Sequence, residues 1–178
     1  MRRLSAITIV AVLALGLGAC GKHGAKNVYS CPNNGPKVGF KTVKSGKLAV
    51  ETSLPSPGWW TGSNKDSLTG GYDFELAKDL CAALGVGKVR IVDVPMSTVE
   101  AGKPTDFDIA LVPVAVTPAL QKNLDASTTY FTTAQGANYA VLLPKGSANT
   151  TLVNAALAKL KSNGTLATLA KTAPTSTG

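Results

Sequence analysis

One stretch limits the possible folds more than any other: Phe107 to Val114 (FDIALVPV) is apolar except for a single acid near its start. A strand covered on one face alternates apolar and polar residues, so an unbroken apolar run is expected where both faces are covered, as in a central parallel strand. The neighbouring segments suit that expectation. Lys47 to Thr52 (KLAVET) and Lys88 to Pro95, the latter with Val89, Ile91, Val92 and Val94, are strand candidates. Between them Asp73 is expected to cap a helix with Phe74, Ala77, Leu80, Cys81 and Leu84 on one face, stopped by Gly85 and Gly87. Ser97 to Gly102 and the segment opened by Thr117-Pro118 read as short helical turns. Ala137 to Leu143 reads as a further strand, Thr151 to Ser162 as a helix ended by Asn163-Gly164, and Leu166 to Lys171 as one more turn. Strands alternating with helices imply an α/β domain: an open, mostly parallel sheet with helices on both faces. Ser53 to Gly71 holds Pro55, Pro57, Gly58, Gly62, Gly70 and Gly71 and is expected to be a long loop, in which Trp59 and Trp60 stand out.

The N-terminus reads as an export signal. Arg2 and Arg3 precede an uncharged apolar run, Ile7 to Leu17, which falls short of the roughly 20 residues that span a bilayer. The run ends in Leu17-Gly18-Ala19-Cys20, which resembles the lipobox of bacterial lipoproteins, where the Cys thiol takes a diacylglycerol and becomes the first mature residue. The alternatives are an ordinary secretory signal with a chance Cys, or an N-terminal membrane helix. The expected organisation is a signal peptide over 1–19, lipidation at Cys20, a basic flexible linker over 20–45, one domain over 46–173 and a disordered tail over 174–178.

The net charge of +8 is a property of the linker rather than of the domain. From Glu51 onward ten basic residues balance ten acidic ones, and the excess beyond Arg2 and Arg3 is Lys22, Lys26, Lys37, Lys41, Lys44 and Lys47. Nothing in the neutral domain points to nucleic acid. A basic linker beside a lipid anchor favours anionic headgroups, by around 1 kcal/mol per Lys close to the surface; a merely solvated linker is the plainer reading. Outside the cytoplasm Cys31 and Cys81 can pair, closing a loop worth about 4 kcal/mol in the chain-entropy model. Alternatively Cys81 is a small buried residue on its helix.

In order along the chain, Val50 to Gly62, Gly70 to Gly85 (GGYDFELAKDLCAALG), Phe107 to Ser127 and Tyr139 to Lys171 resemble the solute-binding proteins of amino-acid ABC importers, family 3. The resemblance implies a periplasmic-binding-protein type II fold. Members have two lobes joined by hinge strands, with an amino acid held between the lobes. The chain leaves the first lobe after a segment like Asp125 to Tyr130 and returns about a hundred residues later. Here Ala134-Gln135-Gly136 runs directly into Asn138 to Val141, which implies a single first lobe. The resemblance also implies a ligand site with an Arg that forks onto the ligand's α-carboxylate. Alignment on Thr117-Pro118 puts Leu120 at the Arg position, and Pro113 and Ala115 where hydroxyls are usual. Thr117 and an aromatic platform at Trp59 or Trp60 are the ligand-binding candidates that remain. One Trp is expected to pack as core and the other to lie exposed at the former cleft. The lost second lobe also implies an apolar cleft face, through which two copies would associate.

Enzymatic chemistry is not expected. His23 is the sole histidine and falls in the linker, and no His and Cys spacing suits a metal. Asp106 and Asp108 read as a solvated rim, and the paired glycines as turns rather than a phosphate loop. No cofactor is expected. The functional expectation is a membrane-anchored extracytoplasmic solute-binding lipoprotein of an amino-acid-type importer, with a small amino-acid-like ligand and an ABC permease as partners, its binding weak or altered by the loss of a lobe. The competing reading is a lipoprotein that uses the same fold as a protein-interaction or structural module.

Overall fold

The computed structural model describes residues 26–32, 35–103 and 106–174. The expected signal peptide, Cys20, His23 and the tail beyond Pro174 lie outside them. In chain order the elements are β1 (Val28–Ser30), β2 (Leu48–Thr52), α1 (Tyr72–Ala83), β3 (Lys88–Asp93), α2 (Met96–Glu100), β4 (Ile109–Ala110), α3 (Pro118–Asn123), β5 (Leu124–Thr132), β6 (Asn138–Pro144), α4 (Thr150–Ser162) and α5 (Thr165–Ala170). The strands form one sheet in the order β1-β3-β2-β4-β6-β5. β2 is parallel to both β3 and β4, whereas β6 is antiparallel to β4 and to β5, and β1 is antiparallel to β3. Thus β2, β3, β4 and β5 run one way, and only β1 and β6 oppose them.

The apolar run around β4 is covered on both sides, as its composition demands. Ile109 and Leu111 join Leu48, Val50, Ile91, Val141 and Leu143 in the larger core, against Leu76, Ala77 and Leu80 of α1 and Val153, Leu157 and Leu160 of α4. Ala110 and Val112 turn to the opposite face, against Val99 of α2 and Leu142. Pairing with β2 continues past the ends of β4, since Asp108 N–H donates to Ala49 O (2.9 Å) and Leu111 N–H to Glu51 O (3.0 Å). Pro113, which has no N–H to donate, follows.

Four expectations need correction. Asp73 does not cap α1: the chain enters the helix from Gly71 at φ 107° without a side-chain cap. Loop carbonyls do the capping instead, Tyr72 N–H donating to Gly58 O (3.0 Å) and Asp73 N–H to Trp59 O (2.9 Å). A side chain at Gly71 would put its Cβ 2.4 Å from Trp59 O, which is why glycine stands there. The linker expected to run to residue 45 is not wholly a linker, because Val28–Ser30 forms an edge strand with Val28 opposite Arg90. Asp108 is no solvated rim; it is 4 % exposed, and its oxygens accept from Val43 N–H (2.7 Å) and Ala49 N–H (2.8 Å). Finally, β5 is a nine-residue strand that the alternation pattern did not reveal.

Cys31 and Cys81 are bonded, with Cα atoms 5.9 Å apart and a sequence separation of 50. The bond fastens the end of β1 to the last turn of α1. No helix among the described residues is long and apolar enough to cross a membrane.

Candidate functional site

Ligands of open α/β sheets sit beyond the carboxyl ends of the parallel strands. Here that edge is built by the loop after β2 (residues 53–71), the stretch after β4 (residues 111–117) and the turn between β5 and β6. That turn is short: Thr133 N–H donates to Ala137 O (2.9 Å) and Gly136 N–H to Thr133 O (3.0 Å), with Gly136 at φ 84°. Two strands which, by the resemblance, would lead to and from a second lobe are therefore joined as one hairpin.

Both tryptophans are buried, Trp59 to 3 % and Trp60 to 1 % exposure. The expectation that one lies open to a ligand is corrected. Trp59 stacks on Tyr139 of β6 with centroids 4.6 Å apart and meets Tyr72 and Phe131 edge-on at 5.6 and 5.7 Å. Tyr72 in turn stacks on Tyr130 at 5.8 Å. Five of the ten aromatic residues thus form one cluster, which clamps the hairpin onto the loop and the start of α1. Such pairs add about 0.5–1.5 kcal/mol each beyond their buried area. Trp60 packs the other way, against Phe74 at 6.3 Å, and its Nε1–H finds no partner among the described residues.

Thr117 is exposed, but its hydroxyl is engaged: Oγ1 accepts from Leu120 N–H at 3.2 Å and so caps α3. Leu120, at the position where the resemblance implies an Arg, is 7 % exposed. Beside them a depression of about 390 Å³ is lined by Val114, Ala115, Thr117 and Leu120 with Glu100 and Asn123. It offers no cation to a carboxylate. Trp59 and Thr117 both abut the beginning of β6, since Val116 N–H donates to Asn138 O (2.8 Å). Among the described residues the exposed large hydrophobics are Val38 and Val43, in the stretch before β2, whereas the apolar residues of this edge, such as Val114, Val116 and Phe131, are half-buried.

The structure adds a group that sequence reasoning missed. Asp73 is fully buried in the aromatic cluster, where Tyr130 O–H donates to its Oδ1 at 2.9 Å while its Oδ2 has no partner. Burial pushes its pKa up to about 8, against the opposing effect of the Tyr130 hydrogen bond. Burial also raises Tyr72 and Tyr130, helped by the neighbouring Asp73 charge. The arrangement is a closed acid–phenol contact without access for a substrate. Among the described residues no group of three or more His, Cys, Asp or Glu could hold a metal ion.

Comparison with known proteins agrees with this architecture. No curated protein sequence matches the chain significantly. Of solved structures, the arginine-bound form of domain 1 from TmArgBP is similar at 24 % identity and a TM-score of 0.54, over 65 % of this chain and 94 % of that one. The ancestral amino acid-binding protein AncCDT-1, a precursor of cyclohexadienyl dehydratase, is similar at 16 % identity and a TM-score of 0.61, over 71 % and 94 % of the two chains. An amino acid ABC transporter substrate-binding protein from Streptococcus pneumoniae, bound to L-arginine, follows at 16 % and 0.57, over 71 % and 93 %. At these identities the likeness is one of fold, that of a single periplasmic-binding-protein lobe. A family model matches residues 48–173, and the chain belongs to the bacterial extracellular solute-binding proteins, family 3.

Proposed function

We propose that this protein is an extracytoplasmic solute-binding lipoprotein of the amino-acid importer class, reduced to its first lobe and binding amino acids only weakly. In this reading residues 1–19 are a signal peptide, Cys20 carries the lipid, and the folded domain begins at the first residues of β1. The observation that supports it best is the β5–β6 hairpin, whose short turn between Thr133 and Ala137 joins the two strands that, by the resemblance, would lead to and from a second lobe. The Cys31–Cys81 bond suits an oxidising compartment. A lone lobe is no bar to binding in itself, given the arginine-bound form of domain 1 from TmArgBP. What argues for weak binding is the make-up of the edge: Leu120 at the Arg position, a Thr117 hydroxyl already engaged, and tryptophans sealed in the core.

Calorimetric titration of the protein with L-arginine and the other amino acids tests this. The expected result is dissociation constants of about 1 mM or weaker, and micromolar saturation by any of them would overturn it. The second reading, an interaction or structural lipoprotein, is favoured by the same loss of ligand groups, and no heat at any concentration would select it. An ABC permease is the partner under the first reading only. Association of two copies through this edge is not proposed, since its larger apolar residues are at most half-exposed.

A further inference from the structure

Opposite the cleft edge lies the other end of the sheet, where β2, β3 and β4 begin and β6 ends. The stretch from Gly35 to Lys47 is laid across it and pinned on both sides. Gly35 N–H donates to Ala82 O near the end of α1 (3.1 Å). The Asn149 side chain, before α4, brackets Lys41, accepting from its N–H (3.3 Å) and donating to its carbonyl (2.8 Å). Asp108 holds Val43 N–H, and Lys47 N–H donates to Lys44 O (3.0 Å).

The backbone is thus fixed: Phe40 packs against the larger core, while most of the other side chains are exposed. Lys37, Lys41 and Lys44 are exposed and Lys47 half-buried, with no Asp or Glu from Pro36 to Lys47. Val38 and Val43, the exposed large hydrophobics among the described residues at 41 % and 50 %, sit between those lysines. The acids that share this edge are already held: Asp106 pairs with Lys44 (2.9 Å), Asp125 with Lys145 (3.2 Å), and Asp108 is buried on backbone N–H groups. Lys88 stands at the start of β3 beside them.

We propose that this edge is a docking face for an anionic lipid bilayer, with the lysines on the headgroups and Val38 and Val43 entering the interface. Apolar side chains flanked by lysines are what interfacial binding uses, and the charges of a fixed loop all reach the surface together. The distance is short as well: Lys26 follows Cys20, the proposed lipidation site, by six positions, a reach of at most about 20 Å. The docked domain turns its cleft edge away from the membrane. The proposal goes beyond weak amino-acid binding and does not depend on it.

Hydrogen exchange on the full chain, with phosphatidylcholine vesicles and with vesicles containing one third phosphatidylglycerol, tests the orientation. Slower exchange confined to residues 36–47, seen with the anionic vesicles and reversed by high salt, is the expected result. Lys37→Gln with Lys41→Gln should weaken vesicle binding on the order of 20-fold, and Val43→Ser should weaken it further. Lys44 is left in place because it pairs with Asp106, and circular dichroism checks that the variants fold. Equal protection by neutral vesicles would overturn the proposal, as would protection of the 133–137 turn instead. Equal protection by soluble polyglutamate would point to an acidic polypeptide partner and overturn it too. None of these outcomes depends on whether an amino acid binds.

Discussion

Asp73 carries the sharpest consequence at the scale of one residue. Its carboxyl is held in the folded state with a pKa raised from an ordinary 3.8 to about 8. The folded protein therefore binds a proton more tightly than the unfolded chain does. That stabilisation is complete below about pH 4 and is lost progressively as pH rises through about 8. Asp73→Asn keeps an acceptor for Tyr130 and removes the titration. The wild-type melting temperature should fall by several degrees between pH 5 and pH 9 while that of the variant stays nearly level. A parallel fall in both would show that the buried acid is not the cause. The residue was visible in the sequence, in the Gly-Tyr-Asp turn, but its role was not. Asp before a helical pattern usually means a cap, whereas here glycine and loop carbonyls had already satisfied the first N–H groups.

Among elements, those that were legible are those with a repeated pattern. The heavily buried β2 and β6, the run through β4, and α1 and α4 with their one-sided apolar spacing all stood where composition put them. β1 and β5 escaped because both lie at the edges of the sheet. β1 has three residues, none of them buried. β5 buries only Leu124 and Tyr130, and register shifts between Ala126 and Phe131 break its alternation. β1 is held to the sheet by its pairing with β3 and by the Cys31–Cys81 bond, which closes a loop of 50 residues. Replacing both cysteines by serine should lower the unfolding free energy by about 4 kcal/mol, measured by denaturant titration under two-state conditions. A loss below about 1 kcal/mol would mean that the strand is secured without the covalent link. The tryptophans failed as site residues for a related reason. Sequence shows that a Trp pair sits in a Pro- and Gly-rich loop, but not that five aromatics from four separate segments converge to bury one of them.

For the whole molecule, two opposite ends carry different chemistry. At one end the Thr117 hydroxyl caps α3 beside a buried Leu120, and the other has lysines and two bare valines on a fixed loop. If the N-terminal cysteine is lipidated, membrane fractions should yield a chain that begins at Cys20 and carries a diacylglycerol, by mass spectrometry. Cleavage elsewhere, or an unmodified thiol, would remove the anchor from the proposal and leave the lysine face to hold the domain alone. The hairpin has a consequence of its own. Thr132 and Asn138 are paired neighbours on adjacent strands, and a Cβ at Gly136 would meet nothing within 4 Å. Any module whose two ends emerge side by side can be grafted between them without moving a strand, so the same junction that closes this small domain is also a socket where a larger one can be plugged in or taken out.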